Sequence, residues 1–280
     1  MQSVLAMDFG GTRLKLGVVR AGQVVAETTL PARAHEPVTE VLADARMALE
    51  RMWVDQPTGV AVGFPAIIDR PTGRILTEHG KYPGCRDFSF PDWVRRTWNL
   101  PAAVENDARL ALIGEWQHGA GRGCRNLALV TLGTGIGTAV LLNGTVLRGV
   151  HHQAGNLGGF FVVNWNATPG TVESESASHT LPAEFPNYEV VFGAPAAQAL
   201  KERALRVWGA LAVTLVHAFD PERIIFGGGV MRSAAVILPA VQARVDTEAF
   251  MPGGRVPVVA GELGDRAALL GAEWLLQERL

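Results

Sequence analysis

The sequence predicts an α/β protein made of two related halves, with a ligand cleft between two domains. The main observation is a repeat, because Leu5–Val25 and Leu127–Leu147 each contain an apolar run, a glycine-rich turn, a second apolar run and a two-residue turn. This order predicts a strand, a loop and a returning strand. In both halves helical and strand patterns then alternate, which is typical of a sheet covered by helices. We therefore expect a duplicated α/β fold.

The two glycine-rich turns are Asp8–Thr12 and Gly133–Gly137. Glycine has no Cβ, so backbone N–H groups can approach an anion, and threonine hydroxyls add further donors. Two ordinary hairpin turns would give the same local pattern. The repetition, together with an aspartate at the head of the first loop, favours two phosphate-binding loops that act on one polyphosphate.

The first half places polar residues where predicted strands end. The apolar spacing of residues 38–52 predicts a helix with one buried face. The predicted strand Val60–Phe64 ends in a turn with Gly63 and Pro65, at the kind of position where α/β proteins place ligands. The next strand leads into Glu105–Asp107 and then into a helix. A carboxylate at such a junction either caps the helix or faces a ligand, and the sequence pattern alone leaves both roles open.

The second half begins after the polar, glycine-rich stretch Gly119–Asn126, where we place the domain junction. Its patterns predict, in order, an irregular section at 148–180, a helix at 194–219, a strand at 223–226 followed by three glycines, a helix at 236–249, a strand at 256–260 and a helix at 266–280. The predicted domains are residues 1–118, joined by the last helix 266–280, and residues 119–265.

The composition indicates a compact protein that binds a small molecule. Hydrophobic residues make up 48% of the chain, and a net charge of −2 with scattered Lys and Arg gives no positive patch for nucleic acid or a membrane surface. Cys85 and Cys124 lie far apart in sequence, which argues against a disulfide framework or a cysteine zinc site. No signal-peptide pattern or membrane-length apolar run is present, so the expected location is the reducing cytoplasm.

Several motifs in one order resemble the sugar kinases of the actin-like ATPase superfamily. Residues 8–15 resemble the first phosphate motif, residues 132–137 the second, and Gly227–Val230 the adenosine motif. Glu105–Ala108, followed by Gly114-Glu115, is similar to the ROK family (repressors, open reading frames and kinases), which includes bacterial glucokinases and N-acetylmannosamine kinases. One glycine motif alone is weak evidence, but the resemblance runs in the family's order through nearly the whole chain.

The resemblance implies a duplicated actin-like ATPase (ribonuclease H-like) fold and an ATP-dependent, Mg²⁺-requiring sugar kinase, commonly a homodimer. It implies that Asp107 is the catalytic base and that Asp8 helps to hold Mg²⁺, usually through water. Phosphoryl transfer requires a base near the acceptor hydroxyl and donors around the phosphoryl group. The implied nucleotide-binding residues are Asp8, Gly10, Gly11, Thr12, Lys15, Gly133, Thr134, Gly135, Gly228 and Gly229. The predicted sugar-binding residues are Asn106, Asp107, Asn156, Glu173, Gly63 and Pro65.

The chain departs from the family in the segment that usually binds a structural zinc. Asn156 and Gly159 replace a glutamate and a zinc-binding histidine. The three zinc-binding cysteines of the family are replaced by Asn164, Asn166 and Thr171. All four zinc ligands are missing together, so we expect no structural zinc and a loop held by hydrogen bonds and packing. A substitute metal site remains an alternative, built from His151, His152 and His179.

The same changes predict altered sugar specificity. Asn156 and Gly159 remove a charged acceptor and a bulky ring from the pocket, and His152 stands where the family usually has glycine. We expect weaker activity on glucose than in a typical glucokinase. The identity of the sugar stays open, as does the choice between ATP and polyphosphate as the donor.

Two other function classes compete with the kinase. The first is a catalytically lapsed ROK protein that senses sugars, which the presence of Asp107 disfavours. ROK repressors carry a helix-turn-helix domain before the first phosphate motif, and the few residues ahead of Asp8 lead us to expect no DNA-binding domain. The second is an ATPase that assembles like actin, which the Asn106-Asp107 pair disfavours.

Overall fold

The computed structural model describes residues 3–53, 55–78, 80–86, 88–159, 161–164 and 170–278. The chain divides into two compact units. Unit 1 comprises Met1–Gly119, Arg148–Ala154 and Arg266–Leu280, and unit 2 comprises Ala120–Leu147 and Gly155–Asp265. The short segment Arg148–Ala154 therefore belongs to unit 1, although its neighbours in sequence belong to unit 2. The domain bounds predicted above remain a prediction.

The helices and strands alternate along the chain. Those up to residue 118 are β1 (Val4–Phe9), β2 (Arg13–Arg20), β3 (Gln23–Pro31), α1 (Val38–Met52), β4 (Val60–Phe64), β5 (Ile68–Asp69), β6 (Arg74–Ile75), α2 (Phe90–Trp98), β7 (Ala102–Asn106) and α3 (Asp107–His118). Those that follow are β8 (Leu127–Leu132), β9 (Ile136–Leu142), β10 (Thr145–Val146), β11 (Val162–Asn164), β12 (Gly170–Thr171), α4 (Val172–Ser176), α5 (Tyr188–Gly193), α6 (Gln198–Phe219), β13 (Arg223–Gly227), α7 (Ala234–Glu248), β14 (Val258–Ala260), α8 (Ala267–Leu270) and α9 (Ala272–Gln277). None of the described helices is long and apolar enough to cross a membrane.

Unit 1 contains a five-stranded sheet in the order β3-β2-β1-β4-β7. The first three strands form an antiparallel meander, and β4 and β7 continue the sheet in parallel with β1. In this register Asp8 lies beside Lys15 on one side and Gly63 on the other, and Gly63 lies beside Glu105. The carboxyl ends of β1, β4 and β7 therefore meet at one edge of the sheet, where parallel sheets place ligands.

Unit 2 contains a second five-stranded sheet, in the order β10-β9-β8-β13-β14. Strands β8, β9 and β10 form an antiparallel meander, and β13 and β14 extend the sheet in parallel with β8. The two sheets therefore share one plan, a meander followed by two parallel strands. This shared plan is the duplication that the repeated sequence pattern predicts.

The core of unit 1 supports the strand ends that carry the site. Every residue of β1 and β4 is buried. Phe9 and Phe64, the last residues of these strands, pack with Tyr82 and Phe90, and their ring centroids lie 5.2 to 5.5 Å apart. Buried aromatic rings contribute strongly to the hydrophobic stabilisation of a core. The carboxyl ends of β1 and β4 therefore rest on a packed base.

Two predicted helices differ from those in the structure. The helix predicted at 194–219 begins as α6 at Gln198, because Pro195–Ala197 forms a 3₁₀ turn. The helix predicted at 266–280 is divided into a 3₁₀ turn, α8 and α9, with Gly271 at the break. A Cβ on Gly271 would lie 2.5 Å from Leu110 O, so the backbone approaches α3 more closely than a residue with a side chain would permit.

Candidate active site

Asp8 lies at the edge of the unit 1 sheet where the carboxyl ends of β1, β4 and β7 meet, and it is only 7% exposed. Its Oδ2 atom lies 3.1 Å from Lys15 Nζ, because the two residues are cross-strand partners in β1 and β2. Its Oδ1 atom faces Gly63, where an added Cβ would lie 3.4 Å away. A Cβ there would also lie 3.0 Å from a Leu110 methyl group, so Gly63 permits close packing beside this oxygen, while the lysine offsets the negative charge of the carboxylate.

Asn106 lies at the last position of β7 and caps α3. Its Oδ1 atom accepts a hydrogen bond of 3.2 Å from Arg109 N, and its Nδ2 atom donates to Asp107 Oδ1 at 3.0 Å and to Ala66 O at 3.4 Å. The capping role left open by the sequence therefore belongs to Asn106. The same side chain orients its neighbour Asp107.

Asp107 is free of the capping role. Its Oδ1 atom accepts hydrogen bonds from Asn106 Nδ2 and from Ala108 N, the latter at 2.9 Å. Both bonds end on Oδ1, so Oδ2 is the oxygen that can receive a proton from a ligand. Removal of the carboxylate from bulk water, followed by repulsion from Asp8, raises the pKa of Asp107 to about 6, although Lys81 and Lys15 oppose the shift.

The first glycine loop is a tight turn between β1 and β2. Gly10 N donates to Arg13 O at 3.0 Å, and a Cβ on Gly10 would lie 2.8 Å from that oxygen. The buried hydroxyl of Tyr82 donates to Gly10 O at 3.0 Å. Gly10 therefore shapes the loop and its own N–H group is already bonded, which leaves Gly11 and Thr12 as the residues at the tip of the loop.

The second glycine loop, in unit 2, is fastened to the segment that follows it. Ser178 N and His179 N donate to Gly133 O and Thr134 O at 3.1 and 3.2 Å, and His179 Nδ1 lies 2.7 Å from Thr134 O. On the other side of the loop, Glu173 Oε2 accepts a hydrogen bond of 2.8 Å from Ile136 N. The carbonyl groups of the loop are therefore bonded to protein, and its shape is fixed by α4 and the turn after it.

The glycines after β13 differ in what surrounds them. Gly228 has a φ of +88°, and a Cβ there would lie 2.3 Å from Leu132 O at the end of β8. A Cβ on Gly229 would meet nothing within 4 Å. Gly228 is therefore required by the fold, whereas Gly229 presents open backbone to a ligand.

The family model of the ROK family matches residues 4–171 and 186–279. The chain belongs to the ROK family. Its relatives include a glucokinase from Halalkalibacterium halodurans, 28% identical over 98% of this chain and 95% of that protein. A beta-glucoside kinase from Listeria monocytogenes is 29% identical over 81% of this chain and 82% of that protein. The crystal structure of a ROK hexokinase from Thermus thermophilus, 28% identical, matches with a TM-score of 0.82 over 99% of both chains. These findings confirm the predicted family and the actin-like ATPase fold.

In this ROK protein the segment around Asn156 is held by a buried threonine. Thr138, 2% exposed, donates to Gly155 O at 2.7 Å and accepts from Leu157 N and Gly158 N at 2.6 and 3.3 Å. A Cβ on Gly158 would lie 1.9 Å from Ile136 O, so the segment also lies close against β9. Asn156 is half-buried between these fixed neighbours.

Of the four positions that match the family's zinc ligands, the structure describes Thr171 and Gly159 fully, and Thr171 has a different role here. Thr171 caps α4 in a reciprocal pair of hydrogen bonds with Ser174. A Cβ on Gly159 would meet nothing within 4 Å. Asn166 and the side chain of Asn164 lie outside the described residues. Among the residues that are described, no group of three or more His, Cys, Asp or Glu side chains could hold a metal ion.

The histidines of the alternative metal site have different surroundings within their own units. His152 Nε2 lies 3.3 Å from Asp69 Oδ1 in unit 1. His179 contacts the second glycine loop in unit 2, and His151 is exposed. These contacts give His152 and His179 roles in the local structure of their units.

The sequence patterns did not single out Tyr82, Arg109 or Thr138. Tyr82 lies between Gly80 and Gly84. Arg109 is a charged residue among the buried residues of α3, and its position close to Asp107 is a usable signal. Thr138 lies in a strand with apolar neighbours and gives no such signal. Pro65, predicted from the turn after β4, is half-buried beside Ala66, whose carbonyl group receives the Asn106 side chain.

Proposed function

We propose that this protein is an ATP-dependent sugar kinase that transfers the γ-phosphoryl group to a hydroxyl of a hexose or hexose derivative. The observation that carries the proposal is the Asn106–Asp107 pair, in which Asn106 caps the helix and leaves an oxygen of Asp107 outside the local hydrogen bonds. A carboxylate with a pKa of about 6 suits a general base at neutral pH, because it is ionised and still basic enough to accept a proton.

In the proposed reaction Asp107 acts on the sugar. Its Oδ2 atom accepts the proton of the acceptor hydroxyl as that oxygen forms a bond to the γ-phosphorus, while the bond from the γ-phosphorus to the bridging oxygen of ADP breaks. The electron pair of the broken bond remains on ADP. Asn106 keeps Oδ1 of Asp107 occupied, so the free oxygen faces the substrate.

Asp8 fits a role in holding Mg²⁺. It presents one carboxylate near the carboxyl end of β1, and hard oxygen ligands are those that Mg²⁺ prefers. A single carboxylate fits a metal that keeps several waters and is shared with substrate phosphates. When bound, Mg²⁺ would neutralise charge on the phosphates.

The predicted nucleotide contacts remain part of the proposal. Gly11, Thr12 and Lys15 would contact phosphates from unit 1, with Gly10 shaping the turn. Thr134 and Gly135 would do so from unit 2, together with Gly133, whose own N–H group donates to Gly135 O at 3.0 Å and whose missing side chain leaves the backbone accessible. Gly228 and Gly229 would lie against the adenosine, with Gly229 supplying the open backbone. Backbone N–H groups in such turns bind phosphate oxygens without a side chain in the way.

The sugar site of the proposal includes Asn106, Asp107, Gly63, Pro65, Asn156 and Glu173. The relatives named above act on glucose or on beta-glucosides, and this chain has Asn156 and Gly159 at two positions that bear on sugar binding in the family. We expect lower kcat/KM on glucose than on another or a substituted hexose. A homodimer and a cytoplasmic location complete the proposal.

The alternative of a catalytically lapsed, sugar-sensing protein is not favoured, because Asp8, Lys15 and Asp107 are all present and in contact with their expected neighbours. Conversion of ATP to ADP, measured with Mg²⁺ over a panel of hexoses, amino sugars and ketoses, distinguishes the two. Sugar-dependent ADP release supports the kinase, whereas ATP binding without turnover on any sugar supports the sensor. Measurement of the sugar phosphate formed with either ATP or inorganic polyphosphate as the sole phosphoryl source identifies the donor.

The role of Asp107 is tested by Asp107→Asn. The variant keeps the shape and the hydrogen bonds on Oδ1 but cannot act as a base, so kcat should fall by orders of magnitude while ATP binding survives. A variant with nearly wild-type kcat would refute the assignment of the base.

A further inference from the structure

A group of charged side chains in unit 1 surrounds Glu105, which is 1% exposed. Its Oε2 atom lies 2.7 Å from Arg148 Nε, and its Oε1 atom accepts a hydrogen bond from Asn106 N at 2.9 Å and lies 3.5 Å from Arg109 Nη1. A buried carboxylate of this kind is retained only when its partners offset the cost of its burial. Glu105 thus joins the residue before Asp107 to two arginines.

Arg109, 3% exposed, reaches a segment that is distant in sequence. Its Nη2 atom donates to His152 O at 2.9 Å and to Ala154 O at 2.8 Å. These two bonds fasten the C-terminal end of the segment 148–154 to the start of α3. The ion pair between Arg148 and Glu105 fastens its N-terminal end to β7. The segment is also closed on itself, because Ala154 N donates to Arg148 O at 3.0 Å.

The contacts of Arg109 and His152 form a ring that includes Asn106. Arg109 N donates to Asn106 Oδ1, and Asn106 Nδ2 donates to Ala66 O, three residues before Asp69. Asp69 in turn pairs with His152, whose carbonyl group accepts from Arg109. Arg109 is therefore bonded to both: its backbone N–H to Asn106, the residue beside the proposed base, and its guanidinium to the carbonyl group of His152.

The position of the His152 imidazole depends on its backbone. Its Nε2 atom has the contact with Asp69, whereas its buried Nδ1 atom has no hydrogen-bond partner among the described residues. His152 also has a φ of +60°, a left-handed conformation that the surrounding bonds must maintain. A shift of the carbonyl bonds to Arg109 would therefore move the ring.

We propose that Arg109 is a positioning residue for the sugar. It fastens the segment 148–154 to the junction of β7 and α3, and so places His152 where it selects the sugar. This inference rests on the proposed kinase function and deepens it. The specificity for the sugar then depends on a buried arginine that need not touch the substrate.

The test compares Arg109→Lys, His152→Ala and the double variant with the wild type, each assayed for KM of its best sugar, KM of ATP and kcat. Lysine keeps the charge but cannot span two carbonyl groups as the guanidinium does. We expect Arg109→Lys to raise the KM of the sugar about tenfold, as loss of one buried hydrogen bond predicts, with the KM of ATP changed less than about twofold. Because Arg109 acts through His152, the double variant should be little worse than His152→Ala.

The matched control is Arg244→Lys in unit 2. Arg244 also pairs with a glutamate, Glu248, and donates to a backbone carbonyl, Arg206 O. Its variant should leave both KM values unchanged. Thermal unfolding of each variant accompanies the kinetics.

Three results would overturn the inference. One is an unchanged KM of the sugar in Arg109→Lys, another is an equal rise in both KM values, and the third is a double variant whose effect is the product of the single effects. Failure of Arg109→Lys to fold would also overturn it, because Arg109 would then serve the core. A wild-type protein that phosphorylates no sugar would instead refute the proposed kinase, so the two failures are distinct.

Discussion

Glu173 and Ile136 are joined by a hydrogen bond of 2.8 Å, from the backbone N–H of Ile136 to Oε2 of Glu173. A Cβ on Gly135 would lie 2.8 Å from the same Oε2 atom, so the glycine lets the carboxylate approach the loop closely. Family resemblance assigns Glu173 to the sugar, and Oε1 is outside this bond to the loop. Glu173 therefore has a structural role in the second glycine loop whether or not it also binds the sugar.

Glu173→Ala should raise the KM of ATP as well as that of the sugar. The substitution leaves Ile136 N–H without its acceptor, and an unpaired backbone donor costs about 1–3 kcal/mol, enough to move the loop. Steady-state kinetics with each substrate varied in turn measures both values. Glu173→Gln, which keeps an acceptor oxygen, should change the KM of ATP less.

Glu184→Ala provides the control, because Glu184 is an exposed glutamate of the same unit. Its KM values should match those of the wild type. If Glu173→Ala alters the KM of the sugar alone, the role of Glu173 in the loop is without consequence for nucleotide binding.

The activity should decline in mild acid. Asp107 must be ionised to accept a proton, and its pKa is about 6, so kcat/KM for the sugar should fall tenfold for each pH unit below that value. A pH profile from 4.5 to 8.5, with stability checked at each pH, provides the measurement. A profile that stays flat down to pH 5 would show that Asp107 is not the group whose ionisation limits the reaction.

The same pKa predicts that the free energy of unfolding changes with pH in the direction opposite to that of the activity. The folded protein binds the Asp107 proton more tightly than the unfolded chain does, since the pKa rises from 3.8 to about 6 on folding. Asp107 therefore lowers the free energy of unfolding as the pH rises through this window. In Asp107→Asn this contribution should disappear, which urea unfolding at pH 4 and pH 7 can measure. If the free energy of unfolding depended on pH in the same way in the variant and the wild type, this contribution of Asp107 would be contradicted.

The fold and the proposed base could be predicted from sequence because their signals are local. The repeated glycine turns and the alternation of elements are recognisable within short stretches of sequence. Asp8 lies at the end of one buried apolar run, and Asp107 follows another. The pairing of Asp8 with Lys15 follows once the turn between β1 and β2 fixes the register.

The contacts of Arg109 and Glu173 could not be predicted in the same way. Arg109 bonds to carbonyl groups more than forty residues away, at His152 and Ala154. Glu173 bonds to Ile136 across a separation of 37 residues. Backbone carbonyl and N–H groups are present at every residue, so no residue type marks them as partners. Only the three-dimensional arrangement identifies them.

Gly133→Ala should weaken nucleotide binding without destabilising the protein. A Cβ on Gly133 would contact only Gly135 O, at 3.8 Å, so the folded protein can accept it. If phosphate oxygens approach this backbone, the methyl group excludes them and the KM of ATP rises. Kinetics and thermal unfolding together separate the two effects.

Two further glycine substitutions serve as controls for Gly133→Ala. Gly253→Ala, where an added Cβ meets nothing within 4 Å, should change neither KM nor stability. Gly228→Ala should destabilise the protein strongly, because its Cβ would lie 2.3 Å from Leu132 O at a positive φ. Equal KM values in Gly133→Ala and Gly253→Ala would count against a phosphate site at the second loop.

The segment around Asn156 should be independent of zinc and dependent on Thr138. The Thr138 hydroxyl is buried and bonded to three backbone groups of residues 155–158. Thr138→Val keeps the shape but leaves these groups unpaired, so it should lower the free energy of unfolding by about 1–3 kcal/mol and raise the KM of the sugar. Thr145→Val, at an exposed position of the same sheet, is the control.

A metal chelator should leave the melting temperature of the wild-type protein unchanged, and elemental analysis should find less than one zinc per chain. Unfolding by the chelator would instead reveal a metal that holds the segment, since removal of a structural metal also removes its share of the folding free energy.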